Sequence, residues 1–417
     1  MADIDWARWL RAGDHLVCSH MSAEPVALLQ SLARSAPAHA LHLMLGVPFS
    51  LAAADLPASC AITTYGAMGS AGQLARSRTV QFSPVHYSRT GLVYEQRDWP
   101  CDVALVSLAR APDGRLYLGA SHGPALAAAR HARHVIAEVN AQAPCVTGAA
   151  WPDDIAISVM IEADHALAPL SEQTPGRIEH AIGQQVAALV PDGACLQVGI
   201  GSLPSATLAA LHTQRQLGVH SGMWSDQLQS LVDAGVVDHS RKSRDAGMAV
   251  VGAVLGSDSL YRAADGSPAI CLREPGYTHD AAVVASIDDF FSLNSAIEVD
   301  LLGNVNAEAL VGADGRWRHV GGVGGLPDFV RAARLSRRGR SVIALPSRTA
   351  KGHARIVARL VGPCTLAAND TDLVVTEHGV AHLRDASLDQ RVQRMLAIAD
   401  PEDRDSLAAG ARAMGLA

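Results

Sequence analysis

A glycine-rich turn near the middle of the chain has residue types and spacing suited to holding a negatively charged group. Residues 196–208 read LQVGIGSLPSATL: an apolar strand, a turn that contains Gly199 and Gly201, and a helix that begins near Pro204. Glycines let backbone N–H groups approach a ligand closely, and the first turn of a helix adds a partial positive charge. The third glycine of a dinucleotide-binding fingerprint is missing, so an ordinary tight turn is the alternative.

A second and denser glycine cluster also leads into a helix. Residues 321–335 read GGVGGLPDFVRAARL, and the stretch Gly322, Val323, Gly324 and Gly325 directly precedes the helix. This glycine density exceeds what a turn needs, so we expect close approach to a ligand or to a developing oxyanion, with a β-bulge as the alternative. No Lys-Ser/Thr pair follows, which excludes a phosphate-binding P-loop.

A short apolar strand in residues 217–227, LGVHSGMWSDQ, ends where α/β enzymes carry reacting groups. Gly222 stands at that point and has no side chain that could react. Its neighbour Ser221 has no evident base partner, and the alternation of side chains along a strand points it to the opposite face. The chain has therefore either lost a nucleophile or uses chemistry that needs none.

Short apolar strands alternate with helices along most of the chain. The predicted strands are 101–107, 134–139, 249–255, 297–302, 341–346 and 372–376. The predicted helices are 123–132, 178–190, 226–234, 327–336 and 387–397. Apolar, β-branched strands separated by helices predict an α/β fold with largely parallel sheets that are buried on both faces.

The order of these elements indicates a duplicated α/β unit. Residues 12–35 and 191–214 share a turn, an apolar strand, a polar loop and a helix opened by proline, and another apolar strand follows each. Residues 151–177 are rich in proline and acidic residues, so we expect a linker there. The length of 417 residues also favours two domains, which we place at 1–177 and 178–417.

The composition excludes several classes of protein. A net charge of -7, a pI near 6.2 and the lack of a Lys/Arg stripe argue against a nucleic-acid partner. No segment has the about 20 apolar residues needed to cross a membrane, and the N-terminal segment lacks the apolar core of a signal peptide. Seven cysteines are scattered without a CxxC pair and the histidines occur singly, so we expect a cytoplasmic protein with reduced thiols and no metal site.

Taken in chain order, these segments resemble the family I CoA-transferases, in the branch of acetyl-CoA hydrolase/transferases that includes acetate and 4-hydroxybutyrate CoA-transferases. The matching segments span nearly the whole chain, and several motifs in one order are far more specific than a single glycine loop. They are GDHLVCSHMSAEP, HVIAEVNAQAP, LQVGIGSLP, GVHSGMWSD, LNSAIEVDLLGNVNAEAL, GGVGGLPDFVRAA, ALPS and TDLVVTEHGVAHLRDASLDQR.

The resemblance implies two tandem CoA-transferase-like domains with the active site between them, in a homodimer or larger homo-oligomer. It implies coenzyme A, as acyl-CoA, as the substrate, together with a small-molecule acceptor and no metal. Both glycine-rich loops are assigned to CoA or oxyanion contacts, and the end of the ALPS strand is assigned to the CoA nucleotide. The residues carried over are Gly199, Gly201, Gly322, Val323, Gly324, Gly325, Ala344 and Ser347.

The family's catalytic residue is a glutamate in a stretch like HSEM, and residues 220–223 here read HSGM. In the family, the carboxylate attacks the acyl-CoA, CoA returns to form a glutamyl-CoA thioester, and an acceptor carboxylate consumes it. Gly222 has no carboxylate for this cycle. Two departures accompany the loss, because Gln227 stands where relatives usually have glycine and Leu326 stands where they commonly have glutamine.

Three carboxylates are candidates to replace the missing glutamate, and none is a convincing substitute. Glu298 could act as a base, with a structural hydrogen bond as the alternative. Asp226 could orient water, although an N-cap role would explain it equally well. We expect Glu24 to lie near the site across the domain interface.

Three classes of function remain open. The favoured class is an acyl-CoA enzyme in which the glycine loops polarise the thioester while water or a non-carboxylate acceptor attacks directly. A variant of it stabilises an enolate, as in acyl-CoA decarboxylation or C–C bond chemistry. The second class is conventional CoA transfer with a relocated carboxylate, and the third is a non-catalytic acyl-CoA binder or partner subunit. Retention of both glycine loops favours the first class.

Overall fold

The computed structural model describes residues 4–170, 174–312 and 314–416. These residues divide by their contacts into two compact units. Unit 1 comprises the described residues within Met1–Leu170, Met223–Asp226 and Val250–Thr278. Unit 2 comprises the described residues within Ser171–Gly222, Gln227–Ala249 and His279–Ala417. The division into domains at residue 177 stays a prediction.

The strands of the described residues are short and mostly buried. They are β1 (His15–Cys18), β2 (Leu41–Gly46), β3 (Cys60–Thr64), β4 (Val80–Phe82), β5 (Val103–Arg110), β6 (Leu116–Tyr117), β7 (His134–Asn140), β8 (Val159–Ala163), β9 (Cys195–Val198), β10 (Gly218–Trp224), β11 (Ala249–Val254), β12 (Ile270–Leu272), β13 (Phe290–Ser295), β14 (Glu298–Asp300), β15 (Val305–Asn306), β16 (Ala309–Val311), β17 (Trp317–His319), β18 (Arg340–Ala344), β19 (Ile356–Val357), β20 (Leu373–Thr376) and β21 (Gly379–His382).

The helices lie between these strands and at the C-terminal end. They are α1 (Trp6–Trp9), α2 (Val26–Ser35), α3 (Ala71–Ser77), α4 (Leu92–Glu95), α5 (Ala125–Ala129), α6 (Arg177–Ala187), α7 (Ser202–Ala210), α8 (Asp226–Asp233), α9 (Asp258–Ala264), α10 (Pro275–Thr278), α11 (Ala281–Ala285), α12 (Leu326–Leu335), α13 (Leu388–Ile398) and α14 (Arg404–Ala413). Short 3-10 helices occupy Met21–Ala23, Tyr87–Arg89, Leu211–Thr213 and Pro401–Asp403. Each strand and helix predicted from the sequence is present, with shifts of a few residues at its ends.

The main sheet of unit 1 is parallel and has β1 near its centre. Its strand order is β4-β3-β2-β1-β5-β7-β8, and β6 adds an antiparallel pair at the end of β5. Leu16 of β1 pairs with Leu43 on one side and with Val103 on the other. Every residue of β5 except Arg110 is buried, as expected for a strand covered on both faces.

The linker prediction for residues 151–177 is wrong for the part that forms β8. This strand pairs in parallel with β7, from Val159 opposite Ile136 to Ala163 opposite Asn140. It is an edge strand whose residues alternate between exposed and buried positions, so its apolar content is low and the surrounding prolines and acids conceal it. Residues 171–173 of the predicted linker lie outside the described residues.

A buried carboxylate fastens helix α2 to the sheet of unit 1. Pro25 precedes the helix and provides no side-chain cap. Glu138 of β7 is fully buried, and its Oε2 accepts hydrogen bonds from the amides of Ala27 at 2.8 Å and Leu28 at 3.1 Å. His165 Nε2 lies 2.9 Å from the other carboxylate oxygen. Because the first turn of a helix has unpaired N–H groups and partial positive charge, this carboxylate stabilises the start of α2.

The main sheet of unit 2 repeats this arrangement. Its strands follow the order β10-β9-β13-β18-β20-β21. The pairs β10–β9, β9–β13, β13–β18 and β18–β20 are parallel, and the pair β20–β21 is antiparallel. In unit 1 the chain runs from β1 through α2 into β2, which pairs in parallel with β1. In unit 2 it runs from β9 through α7 into β10, which pairs in parallel with β9. The α/β fold and the repeated strand–helix–strand unit are therefore confirmed.

The sequence analysis missed β13, the strand between β9 and β18. Its residues Ser292 and Asn294 are buried and polar, so they interrupt the apolar run that marks an interior strand. The side chain of Gln197 on β9 satisfies them, because its Oε1 accepts from Ser292 Oγ at 2.5 Å and from Asn294 Nδ2 at 3.1 Å. Buried polar groups are tolerated when they are paired in this way.

Two further findings concern membranes and cysteines. Among the described residues, no helix combines the length and the apolar character needed to span a bilayer. All seven cysteines are free thiols, and Cys18, Cys60, Cys195 and Cys271 are buried.

We expect Glu138→Ala to lower the free energy of unfolding by about 3 kcal/mol, because two helix amides would stay buried without an acceptor. Chemical denaturation monitored by circular dichroism measures this loss. Glu162→Ala is the matched control: this glutamate lies on the neighbouring strand β8 but is exposed, so its removal should change stability by less than about 0.5 kcal/mol. Equal effects of the two substitutions would contradict the role of Glu138.

We also expect a pH-dependent contribution from His165. The hydrogen bond to Glu138 raises the pKa of His165 above its usual value of about 6.5. The stabilisation is therefore fully present below about pH 6.5 and is lost as the pH rises through the elevated pKa of the folded state. The difference in unfolding free energy between the wild type and His165→Asn should be larger at pH 6 than at pH 8.5. A difference that does not vary with pH would refute this.

Candidate active site at the carboxyl ends of β9 and β10

The backbone at Gly222, near the end of β10, does not require a glycine. Its φ angle lies outside the left-handed region. A Cβ atom built on it would lie 3.4 Å from Nε2 and 3.6 Å from Cε1 of His279, and 4.0 Å from Cε2 of Phe329, which are ordinary contact distances. Neither backbone strain nor a clash at Cβ therefore explains why residue 222 has no side chain.

The ring of His279 lies beside Gly222 and belongs to a row of packed rings. It is 3% exposed, and its centroid lies 4.4 Å from that of Phe329. Phe329 stacks on Phe290 at 6.2 Å, and His220 meets Phe290 edge-on at 6.4 Å. Burial lowers the pKa of His279 to about 3, with a smaller effect from His220, so the imidazole is neutral at physiological pH.

The sequence analysis did not single out His279. A lone histidine directly before Asp280, which caps α11 by accepting from the Val283 amide at 2.8 Å, gives no local sign of a site. Only the tertiary structure brings it next to Gly222. The missed residue thus had no signal in the single sequence.

The second glycine loop packs against the same histidine. Gly325 is the N-cap residue of α12, and a Cβ atom there would lie 2.4 Å from Cδ2 and 2.5 Å from Nε2 of His279. It would also lie 3.0 Å from Cε2 of Phe329. Gly324 has a φ of +53°, a conformation that glycine adopts readily. The backbone conformation thus explains the glycine at position 324 and a steric clash explains the one at position 325, whereas neither reason applies to Gly222.

The first glycine loop follows β9 at the same edge of the sheet. Parallel pairing of β9 with β10 brings the carboxyl ends of both strands together, so Gly199 and Gly222 share that edge. The amide of Gly199 donates to Leu293 O at 3.2 Å, which keeps the loop on β13. Gly201, with a φ of +121°, is the N-cap residue of α7 and has no side chain to cap the helix. The first turn of α7 therefore has no side-chain cap from its N-cap residue.

Ser221, although adjacent to Gly222, is a structural residue. It is fully buried, its Oγ donates to Val198 O at 3.2 Å, and the Val198 amide lies 3.3 Å from the same oxygen. The hydroxyl thus ties β10 to β9.

Two of the candidate carboxylates lie in unit 1 and bind neighbouring polar groups. Glu24 Oε2 accepts from the amides of Phe49 at 2.9 Å and Ser50 at 2.8 Å, and Oε1 accepts from Ser50 Oγ at 2.8 Å. Burial raises the pKa of Glu24, although these hydrogen bonds oppose the change. Asp226 opens α8, and its two oxygens accept from the amide and hydroxyl of Ser257 at 2.8 and 2.5 Å.

The remaining predicted residues lie in unit 2. Glu298 is partly buried at the start of β14, and its Oε2 lies 3.5 Å from Asn306 Nδ2. Ala344, the last residue of β18, is fully buried. Ser347 is 1% exposed, and its amide and Oγ donate to the Glu377 carboxylate at 2.8 and 2.6 Å. The Ser347 hydroxyl is therefore directed at a neighbouring strand end.

Comparison with known proteins gives a consistent family. Residues 71–166 match the acetyl-CoA hydrolase/transferase N-terminal domain, and residues 256–411 match the C-terminal domain. A curated 4-hydroxybutyrate coenzyme A transferase of Clostridium kluyveri is 35% identical over 336 residues, which cover 79% of this chain and 77% of that protein.

Solved structures agree with the sequence matches. The crystal structure of RipA from Yersinia pestis has a TM-score of 0.90 and 30% identity, covering 98% of this chain and 96% of that one. A 4-hydroxybutyrate CoA-transferase from Porphyromonas gingivalis has a TM-score of 0.81 at 30% identity, with the same coverage. The expected α/β architecture of two CoA-transferase-like domains is confirmed. The chain belongs to the acetyl-CoA hydrolase/transferase family.

Proposed function

We propose that this protein is an acyl-CoA enzyme that acts without a covalent glutamyl-CoA intermediate and transfers the acyl group directly to water or to a non-carboxylate acceptor. The observation that carries the proposal is the backbone of Gly222, which would accept a Cβ atom without strain or clash. A glycine that the fold does not require, at the position that the resemblance assigns to the family's glutamate, supports a change of chemistry rather than a change of packing.

Direct acyl transfer needs only groups that bind and polarise the thioester. The two glycine loops would hold the acyl-CoA so that backbone N–H groups meet the oxygen that becomes negatively charged. Such preorganised donors supply a large part of the rate in acyl transfer, and orientation of the two reactants supplies another.

Conventional CoA transfer through a relocated carboxylate has less support. Glu24 and Asp226 each use both carboxylate oxygens in hydrogen bonds with nearby backbone and serine groups. A nucleophile would have to give up those bonds, which cost about 1–3 kcal/mol each when left unmade in a buried place. Glu298, whose hydrogen bond with Asn306 is long at 3.5 Å, is the better candidate for this role.

Enolate chemistry and non-catalytic binding compete with direct acyl transfer as functions of this site. An enolate oxygen would use the same N–H donors as a tetrahedral oxyanion, so the glycine loops suit both reactions. A pure binder would not need such donors. We propose acyl-CoA and a small-molecule acceptor as the partners, and a cytoplasmic homodimer or larger homo-oligomer as the working form, in keeping with the free thiols and with the family resemblance.

The proposal is tested by incubating the purified protein with acetyl-CoA, propionyl-CoA and butyryl-CoA, with and without acetate, while free thiol is measured. We expect thiol release that does not depend on acetate, and no CoA adduct on the protein by intact mass spectrometry. Acetate-dependent exchange with a trapped protein–CoA thioester would refute the proposal. CoA binding without any turnover would favour the non-catalytic class.

Gly222→Glu should restore the family's covalent chemistry if the surrounding geometry is intact, since the Cβ atom fits beside His279. We expect new transfer of CoA from butyryl-CoA to acetate and a protein adduct with the mass of CoA. Gly222→Gln is the matched control, because its amide has nearly the same size and cannot form the mixed anhydride. Equal activity of the two variants would show that the glutamate acts by bulk alone, and a folded but inert glutamate variant would show that the site has diverged further.

A further inference from the structure

We propose that a cluster of four arginines, at the edge of the unit 2 sheet where its parallel strands begin, binds the phosphate group of a small molecule. The arginine cluster consists of Arg334 in the last turn of α12, Arg340 at the start of β18, Arg384 after β21 and Arg394 on α13. The inference goes beyond the proposed function and does not depend on it.

The arginine cluster is separate from the candidate active site. Arg340 opens β18, and Asp372, which binds two of the four arginines, directly precedes β20. Gly199 follows β9 and Gly222 lies near the end of β10, so the candidate active site is at the carboxyl ends of strands. Because β10, β9, β13, β18 and β20 are parallel, the two places lie at opposite edges of the sheet. A strand of five residues separates such edges by about 15 Å.

Two guanidinium groups of the cluster share one carboxylate oxygen. Asp372 is 1% exposed, and its Oδ2 lies 3.2 Å from Arg340 Nε and 2.9 Å from Arg384 Nη2. Burial lowers the pKa of Arg384 and Asp372 opposes this change. The positive charges of Arg340 and Arg334 lower the pKa of Arg384 further. These guanidinium groups are therefore close enough to repel one another, and a second anion would reduce the repulsion.

The other two arginines have one aspartate between them. Arg334 Nη2 lies 2.9 Å from Asp385 Oδ1. Arg394 donates to the backbone oxygen of His382 and forms no ion pair within the described part of the chain. Four arginines with two aspartates leave two positive charges uncompensated. A phosphate monoester has nearly two negative charges at neutral pH, and guanidinium groups bind its oxygens through paired hydrogen bonds.

The cluster is partly exposed, and protein groups do not satisfy it completely. The side chains of Arg334, Arg340 and Arg384 are 34%, 37% and 24% exposed, so a small anion can reach them. Three buried polar atoms at this place, Arg334 Nη1, Arg384 Nε and Asp372 Oδ1, have no hydrogen-bond partner. Since buried polar atoms nearly always have one, this network favours a further polar ligand.

Two other arginines of the same segment form ordinary surface ion pairs. Arg337 pairs with Asp288, and Arg338 binds both oxygens of Asp289 at 2.6 and 2.5 Å. Each has a carboxylate of its own, which leaves no charge for a ligand to compensate. The arginine cluster differs from them in its excess of positive charge.

The test titrates the purified protein with inorganic pyrophosphate by isothermal titration calorimetry, at low ionic strength to limit screening. We expect Arg340→Gln to raise the Kd at least about 10-fold, because charge-assisted hydrogen bonds to the anion are lost. Asp385→Asn removes the negative charge beside Arg334 and should lower the Kd about 2- to 5-fold. Asp289→Asn is the matched control and should leave the Kd unchanged. It makes the same change of charge, and its φ of +52° resembles the +57° of Asp385.

A wild type that does not bind pyrophosphate would overturn the inference. Equal effects of Asp385→Asn and Asp289→Asn would also overturn it, because the net charge of the protein would then account for the binding. If Arg340→Gln does not fold, the two aspartate variants still decide. Titration with CoA checks the separation of the two places: the Kd for CoA should be the same in the wild type and in Arg340→Gln, and a parallel loss would refute a separate ligand.

Discussion

The ring of His279 can occupy its place only because residue 325 has no side chain. A Cβ atom at Gly325 would meet that ring at 2.4 Å, and backbone atoms of a helix N-cap cannot move away as a flexible side chain could. The helix that follows contributes Phe329, which packs on the same ring. One steric constraint thus couples the second glycine loop, helix α12 and the residue beside Gly222.

The sheet supplies the rest of the geometry. Parallel strands end at one edge, so the pairing of β9 with β10 sets the first glycine loop and Gly222 side by side. Two buried side chains next to that edge form hydrogen bonds between the strands: Ser221 joins β10 to β9, and Gln197 joins β9 to β13. These hydrogen bonds lie within the sheet, and the glycine residues lie at the ends of its strands.

The sequence alone was sufficient to predict the features of the fold that depend on short local patterns. Apolar strands, prolines that open helices and the two glycine loops are all visible in short windows, and they led to the correct fold class and family. Among the strands that the sequence analysis missed, two escaped for identifiable reasons: β8 is an edge strand with exposed alternate residues, and β13 has buried polar residues whose partner lies about a hundred positions away. His279 escaped because its significance is a distance to Gly222, and distances between remote segments are not written in a single sequence.

The two copies of the repeated strand–helix–strand unit use the start of their helices in opposite ways. In unit 1 the carboxylate of Glu138 occupies the amides at the start of α2, and this copy serves as internal support. In unit 2 the N-cap residue of helix α7 is Gly201, which has no side chain that could cap the first turn. The two copies of this element therefore have different roles. In unit 1 the partial positive charge at the helix start is used to stabilise the fold, and in unit 2 it is retained. Substitutions at equivalent positions of the two copies should consequently not be interchangeable, even though both copies have the same order of strand, helix and strand.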